Sequence, residues 1–334
     1  MIMRWMFTLL FSFSVVFAAP KTLDVYFIDV EGGQATLFVS PAGQSMLVDT
    51  GWAGFESRDA NRIADVAKLA GVKQIDYLLI THYHADHVGG VSQLAQKLPI
   101  KNFVDHGPSV ESGAAPDKLM AGYTAEREKG KHIQVKPGDK VPIKGIDVQV
   151  LSAAGDLISK PLSGAGQPNT FCEGTKLRDE DKTENARSVG SLITFGKFRM
   201  IDLGDLTWNK EFELVCPNNR VGTVDVYLTT HHGMNMSGPA AIVNALHPKV
   251  AIMNNGATKG GTPEAWQVIH KSPGLQDIWQ VHYATAGGDA NNVSEQMIAN
   301  PTEKPDSGNW LKLSADASGS FTVTNGRNGY SKKY

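Results

Sequence analysis

Apolar residues alternate with polar ones in several short stretches of the chain, and each stretch ends at a turn signal. Residues 22–30 alternate in this way before Glu31-Gly32-Gly33, and two similar runs follow at 35–39 and 45–49. Period-two alternation bounded by glycine and proline predicts strands joined by tight turns. We therefore expect the chain to begin with an antiparallel meander.

Helical spacing of apolar residues first appears in 60–69, at Ile63, Val66 and Leu69. Strands and helices then alternate along the rest of the chain. The predicted strands are 74–80, 102–104, 146–151, a hairpin over 188–203, 224–230, 249–253, 279–283 and the segment 310–324. The predicted helices are 60–69, 91–97, 239–246 and 262–270. Two strand-rich halves with helices between them predict helices packed outside two facing sheets.

Four of the predicted strands stop at a histidine or an acidic residue. The densest of these ends is Thr81-His82-Tyr83-His84-Ala85-Asp86-His87, directly after the strand at 74–80. Packing alone does not explain three histidines and a carboxylate within so short a stretch. Imidazole and carboxylate are instead ligands that suit zinc and related metals. The other three ends are at His106, Gly204-Asp205 and His231-His232-Gly233.

Side-chain alternation divides the densest end into two pairs of donors. His82 and His84 can point together at one metal, whereas Asp86 and His87, after the chain turns, can face another. One metal does not need all four of these donors together with the further candidates, and two metals do. Those further candidates are His106, Asp205 and one histidine of the His231-His232 pair.

The spacing His82-x-His84-x-Asp86-His87 resembles the signature of the metallo-β-lactamase superfamily. The resemblance extends over most of the mature chain and includes Asp49, His106, Gly204-Asp205 and His231-His232-Gly233. It implies an α/β (α+β) fold, namely an αββα four-layer sandwich of two mixed β-sheets with helices on the outer faces. Residues 27–35 and the final His-His-Gly more narrowly resemble the branch that contains the hydrolase domain of the competence DNA-uptake channel and bacterial phosphorylcholine esterase.

The resemblance also implies a role for each candidate residue. His82, His84 and His106 would hold one metal, and Asp86, His87 and His232 would hold the other, with Asp205 bridging the two. His231 is the alternative to His232 as a ligand, and it otherwise lies behind the ligands or serves as a proton donor. Asp49 would orient a ligating histidine, although an aspartate at a strand exit can also simply stabilise its turn.

Two Zn2+ ions are the expected cofactors, with Mn2+ or Fe2+ as other divalent candidates. Such a pair lowers the pKa of a bridging water towards about 7 and stabilises a developing oxyanion, and Asp86 would direct the resulting hydroxide. We expect a binuclear zinc hydrolase that acts on a phosphoester or phosphodiester. A lactone or β-lactam hydrolase is the alternative among enzymes. The alternative of another class is a noncatalytic zinc-containing periplasmic binding protein. Structural zinc sites are usually closed and rich in cysteine, which argues against this alternative.

Composition narrows the partners of the protein. Hydrophobic residues make up 41% and charged residues 20% of the chain, which is typical of a globular protein. The formal net charge of -2 provides no general attraction to nucleic acid or anionic lipid. We therefore expect a small-molecule or ester substrate, and the sequence predicts no particular oligomeric state.

The N-terminus predicts export. Residues 1–18 combine Arg4, an apolar run and small terminal residues, which is typical of a signal peptide cut after Ala18 or Ala19. The run is shorter than the roughly 20 residues of a spanning helix, which disfavours an uncleaved anchor, and no later segment approaches that length. The mature chain, 19–334, is expected to form one domain with an insertion around 108–184.

We expect the mature protein to be periplasmic or secreted. An oxidising compartment makes a disulfide between Cys172 and Cys216, the two cysteines of the chain, the favoured hypothesis. Two buried thiols are the alternative.

Overall fold

Two β-sheets face each other in the computed structural model of the protein, which describes residues 22–302 and 308–334. The first nine strands are β1 (Leu23–Phe27), β2 (Thr36–Val39), β3 (Ser45–Val48), β4 (Ile75–Leu79), β5 (Ile100–Asp105), β6 (Lys131–Gln134), β7 (Lys140–Val141), β8 (Asp147–Ala153) and β9 (Asp156–Leu157). The remaining nine are β10 (Gly190–Phe195), β11 (Phe198–Asp202), β12 (Val226–Leu228), β13 (Val250–Met253), β14 (Asp277–His282), β15 (Ile298–Asn300), β16 (Leu311–Ala315), β17 (Phe321–Asn325) and β18 (Ser331–Lys333).

Both sheets contain parallel and antiparallel pairs. The first sheet has the order β18-β17-β16-β1-β2-β3-β4-β5-β6, and its strands from β3 to β6 run parallel. The second has the order β15-β14-β13-β12-β11-β10-β8-β7, with β9 paired to β8, and its strands from β11 to β15 run parallel. The prediction of two mixed sheets is confirmed.

Seven helices lie between these strands in the described ranges. They are α1 (Arg58–Leu69), α2 (Ala85–Val88), α3 (Val91–Ala95), α4 (Ala114–Arg127), α5 (Trp208–Val215), α6 (Ala240–Leu246) and α7 (Pro263–His270). None of these described helices is long and apolar enough to cross a membrane. The predicted signal peptide lies outside the described residues.

Three apolar clusters define the layers. Successive residues of a strand point to opposite faces of its sheet, so Val25 and Phe27 lie in the core between the sheets while Tyr26 lies on the outer face of the first sheet. Helices α1, α3 and α4 cover that outer face through residues such as Ile63, and α5, α6 and α7 cover the second sheet through residues such as Ile242. The predicted four-layer αββα sandwich is confirmed.

Helices α4 and α5 were not predicted from the sequence. Of the α4 residues only Tyr123 is buried, so the helix has no apolar stripe to reveal its period. The segment 108–184 contributes α4, β6 to the first sheet and β7 to β9 to the second, followed by a long irregular stretch. A disulfide between Cys172 and Cys216 ties that stretch to the end of α5, so the predicted pairing of the two cysteines is present.

Candidate metal centre

The four predicted strand ends meet at one edge of the sandwich. β4 and β5 are parallel neighbours in the first sheet, and β11 and β12 are parallel neighbours in the second. Parallel neighbours present their carboxyl ends on the same side, which is where the loops of open α/β sheets commonly bind ligands. The candidate residues therefore reach one site from both sheets.

Asp86, His87, Asp205 and His232 form a buried group whose donor atoms all lie within 4.8 Å of one another. The Nε2 atom of His87 is 3.3 Å from Asp205 Oδ2, and that of His232 is 3.4 Å from Asp205 Oδ1. Asp86 Oδ2 lies 3.2 Å from the Nε2 atom of His87 and 3.3 Å from that of His232. Two carboxylates and two imidazoles thus converge on one small volume.

The unpaired atoms of this group test whether it suits a metal. The Nε2 atoms of His87 and His232 and the Oδ1 atom of Asp205 are buried and make no hydrogen bond within the described residues. Buried polar atoms nearly always have a partner, so several orphans facing one point call for an ion or water. Mixed imidazole and carboxylate donors are a set that divalent zinc accepts. The residues therefore fit a divalent metal.

A second pair of donors lies beside this group. The Nε2 atom of His82 and the Nδ1 atom of His84 are 3.0 Å apart, as expected for two side chains that point together. His82 Nε2 is also 4.0 Å from Asp205 Oδ2, so the carboxylate of Asp205 faces both sets of donors. The bridging role of Asp205 stays a prediction.

His231 and His232 both face Asp205. His231 Nε2 lies 3.3 Å from Asp205 Oδ2, and each histidine has a φ of 56°. A left-handed backbone at a non-glycine residue costs about 1–3 kcal/mol and is typical of functional sites. Burial lowers the pKa of His231 to about 4, so the ring is neutral near pH 7. The neutral state suits a metal ligand better than a proton donor.

His106 does not belong to the buried group of Asp86, His87, Asp205 and His232. Its ring centroid is 4.6 Å from that of Tyr83, and its Nε2 atom is 2.9 Å from Glu184 Oε2. Its Nδ1 atom is buried without a partner. Within the described part of the chain, the donor atoms of His106 do not join those of His82 and His84 in a group within 4.8 Å. The predicted ligand role of His106 stays a prediction.

Three of the histidines have a carboxylate within hydrogen-bonding distance of one ring nitrogen. Asp49 Oδ2 is 2.7 Å from His87 Nδ1 and accepts a 2.6 Å hydrogen bond from Thr81 Oγ1, while its role in orienting a metal ligand stays a prediction. Glu111 Oε1 is 3.1 Å from His84 Nε2, and Glu184 holds His106 as described. A carboxylate on the outer nitrogen fixes the tautomer of a metal-binding histidine. Glu111 and Glu184 were missed because nothing in their sequence surroundings separates them from the other acidic residues of that polar segment.

A further buried network supports the turn beside the site. Asp29 Oδ1 lies 2.6 Å from His282 Nε2, and Arg62 Nη1 donates to Asp29 at 2.7 Å and to Glu31 at 3.0 Å. The carboxylates and the histidine could together hold an ion, but the guanidinium already supplies positive charge there. The network anchors the turn at Gly33, where a Cβ atom would lie 2.4 Å from the backbone oxygen of Asp86.

An αββα sandwich with such a donor set at its strand ends defines a class of metal-binding proteins, and sequence comparison identifies the family. Residues 28–162 match the family model described as Metallo-beta-lactamase superfamily. The chain therefore carries a domain of the metallo-beta-lactamase superfamily, as the motif predicted.

Two curated relatives illustrate the similarity. The chain is 30% identical to ComE operon protein 3 of Bacillus subtilis (strain 168) over 190 residues, which are 56% of this chain and 20% of that protein. It is 31% identical over 102 residues to hydroxyacylglutathione hydrolase of Klebsiella pneumoniae subsp. pneumoniae, covering 30% of this chain and 34% of that one. The chain thus spans about a fifth and about a third of these two relatives.

Solved structures also overlap with the chain. The metallo-beta-lactamase fold protein YhfI from Bacillus subtilis has a TM-score of 0.47 and 13% identity, covering 78% of this chain and 96% of its own. A putative metal-dependent hydrolase from Parabacteroides distasonis has a TM-score of 0.42 and 19% identity, covering 77% and 92%.

Proposed function

We propose that the protein is an exported metal-dependent hydrolase with a two-metal centre that acts on a phosphoester or phosphodiester. The observation that supports this proposal best is the buried convergence of Asp86, His87, Asp205 and His232. Membership of the superfamily and the similarity to hydroxyacylglutathione hydrolases support a hydrolytic reaction. The donor types favour two Zn2+ ions, with Mn2+ or Fe2+ as substitutes.

Two ions would divide these residues between them. Asp86, His87 and His232 would hold one, His82 and His84 would contribute to the other, and Asp205 would be available to both. His106 and His231 are the two candidates for the third nitrogen at that second position. His231 Nε2 lies 3.3 Å from Asp205 Oδ2, an oxygen that is 3.3 Å from His87 Nε2 and 4.0 Å from His82 Nε2. His106 Nε2, in contrast, is 2.9 Å from Glu184 Oε2, and this difference favours His231.

The metal ions and the side chains of the protein would contribute different parts of the catalysis. When bound, a pair of divalent cations lowers the pKa of water towards about 7 and stabilises developing negative charge. Asp49 accepts a hydrogen bond from His87 Nδ1 and so keeps the lone pair of Nε2 directed into the site. Asp86 places its Oδ2 atom between two imidazoles, from where it can also orient the attacking water. Burial of these groups strengthens their electrostatic effect on the substrate.

Substrate screening tests the proposal. The purified, zinc-loaded protein is assayed with bis(p-nitrophenyl) phosphate, p-nitrophenyl phosphate, a lactone, a cephalosporin and an S-acylglutathione thioester. The thioester belongs in the panel because of the relatives named hydroxyacylglutathione hydrolase. We expect chelator-sensitive turnover of a phosphate ester. Turnover of the lactone or cephalosporin alone would replace that substrate class, and metal binding without any turnover would favour a zinc-containing binding protein.

Export is the second part of the proposal. We place the mature chain, 19–334, in the periplasm or outside the cell after removal of residues 1–18, as a single domain with an insertion around 108–184. The disulfide between Cys172 and Cys216 supports an oxidising compartment. N-terminal sequencing of the exported protein tests this, and a first residue at Ala19 is expected. A chain that retains Met1 would contradict it.

A further inference from the structure

Lys259 places an ammonium group at the edge of the proposed metal centre. Its Nζ atom contacts Asp86 Oδ2, the carboxylate oxygen that lies between His87 and His232. The Lys259 side chain is 28% exposed and that of Asp86 is 9% exposed, so this ion pair lies where the site opens to solvent. The indole of Trp52 borders the ammonium, with 5.1 Å between Nζ and the ring centroid.

The backbone that carries Lys259 is fixed against the site. Lys259 lies in the loop between β13 and α7, where its carbonyl oxygen accepts a 2.8 Å hydrogen bond from Gly256 N. Gly261 N donates to the carbonyl oxygen of His232 at 3.0 Å. A Cβ atom at Gly260 would lie 2.2 Å from that same oxygen, and one at Gly32 would lie 2.8 Å from Lys259 Cβ. Contacts on both sides therefore hold the backbone of Lys259 in place beside the site.

The charge of the site changes when divalent ions bind. Asp86 and Asp205 together carry two negative charges, and the ammonium of Lys259 compensates one of them directly. A divalent ion held by Asp86 would compensate the same carboxylate with two positive charges instead of one. The ammonium would then lose its partner while remaining within one side-chain length of the reaction centre. A partly desolvated ammonium without a partner attracts an anion, above all one with several acceptor oxygens.

We propose that Lys259 is a substrate-binding residue that holds an anionic oxygen next to the scissile bond. This inference rests on the proposed hydrolase function and deepens it, because it limits the preferred substrates to esters that carry a negative charge at the reacting group. A phosphodiester or phosphomonoester meets this requirement, and an uncharged lactone does not. Trp52 closes the same side of the site and keeps the ammonium directed towards the substrate through its ring face.

Phosphate binding and ester kinetics test this inference together. Inorganic phosphate is titrated calorimetrically into the zinc-loaded protein and into Lys259→Met, Lys259→Arg and Lys249→Met. Lys249 is the matched control because its ammonium also pairs with an aspartate, Asp225 Oδ1, at 2.7 Å. Lys249 directly precedes β13, whereas Lys259 follows that strand, so the two lysines lie at opposite ends of it. Metal content is measured for every variant. We expect no loss of metal in Lys259→Met, since the substitution removes a cation that competes with the metal for Asp86.

We expect Lys259→Met to weaken phosphate binding and to raise KM for bis(p-nitrophenyl) phosphate by about 10–100-fold, the effect of one lost hydrogen bond between charged groups. Lys259→Arg should recover most of both, and Lys249→Met should match the unchanged protein. With an uncharged lactone, Lys259→Met should lower kcat/KM by a smaller factor than with bis(p-nitrophenyl) phosphate. Equal phosphate affinity in Lys259→Met and the unchanged protein would overturn the inference, as would absence of phosphate binding. Lack of turnover by the unchanged protein would instead contradict the proposed function, and the phosphate titration would still decide the role of Lys259.

Discussion

Asp49 is the residue whose replacement tests the histidine-orienting carboxylates most sharply. Its Oδ2 atom lies 2.7 Å from His87 Nδ1 and accepts from Thr81 Oγ1 at 2.6 Å, while its Oδ1 atom accepts from Thr81 N at 2.8 Å. Asp49→Asn keeps the size of the side chain and one carbonyl oxygen. Its amide nitrogen, however, would replace either Oδ2 and face His87 Nδ1–H, or Oδ1 and face the backbone N–H of Thr81, where an acceptor is needed. The substitution therefore disturbs one metal ligand directly.

The expected loss follows from these contacts. Removing a carboxylate that orients a ligating histidine typically weakens metal binding 10–100-fold, or about 1.4–2.7 kcal/mol. We expect the upper end of that range for the ion held by His87. A smaller loss is expected for the other ion, because Thr81 Oγ1 lies 3.1 Å from His82 Nδ1 and transmits the change only indirectly.

Competition with a chromophoric zinc chelator measures both affinities. Asp76→Asn is the matched control, since Asp76 is also a buried aspartate that accepts a backbone hydrogen bond, from Ser45 N at 3.0 Å. Asp76 lies near the start of β4, whereas Asp49 directly follows β3 at the strand ends that carry the site. The control should lose stability without losing affinity for zinc. If Asp49→Asn bound both ions as tightly as Asp76→Asn, the assignment of His87 as a ligand oriented by Asp49 would be refuted.

Three further predictions concern stability and metal content. Burial raises the pKa of Glu211 to about 7 from its ordinary 4.5, so the stability associated with its protonated form is present below pH 4.5 and is lost as the pH rises through 7. In denaturant titrations at pH 8, Glu211→Gln should therefore be more stable than the unchanged protein by up to about 3 kcal/mol. A stability difference that does not depend on pH would contradict this. Replacing Cys172 and Cys216 by serine opens a loop with a sequence separation of 44 and should lower the free energy of unfolding by about 4 kcal/mol from chain entropy alone. The measurement is the denaturation midpoint, which should fall. An unchanged midpoint would exclude a stabilising disulfide. His231→Ala should lower the zinc content from two ions to one while His106→Ala retains both, and the reverse result would assign the third nitrogen to His106.

Local sequence spacing was sufficient for part of the site. His82, His84, Asp86 and His87 are neighbours in the chain, so the turn after β4 brings them together without help from distant segments. Asp205 and His232 could be added because each also ends a strand, and parallel strands present their ends on one side. Short apolar or alternating runs bounded by turn residues likewise predicted the main strands. Strands β4 and β13 are buried along their whole length between two apolar layers, so they read as near-continuous apolar runs.

Other features depend on contacts between segments that are far apart in sequence. Glu184 reaches His106 across 78 positions, and Lys259 reaches Asp86 across 173. Neither lies in a periodic pattern, because their positions are set by loops that pack against other loops. The same holds for α4, whose mostly exposed surface leaves no apolar stripe in the sequence.

Metal content combined with anomalous diffraction tests the central claim most directly. Zinc-loaded crystals are measured on both sides of the zinc absorption edge, and Asp205→Asn is measured in the same way. We predict two anomalous peaks per chain, one beside Asp86, His87 and His232 and one beside His82 and His84, with Asp205 between them, and reduced occupancy of both peaks in the variant. A single peak, or two peaks that do not share Asp205, would contradict the two-metal centre.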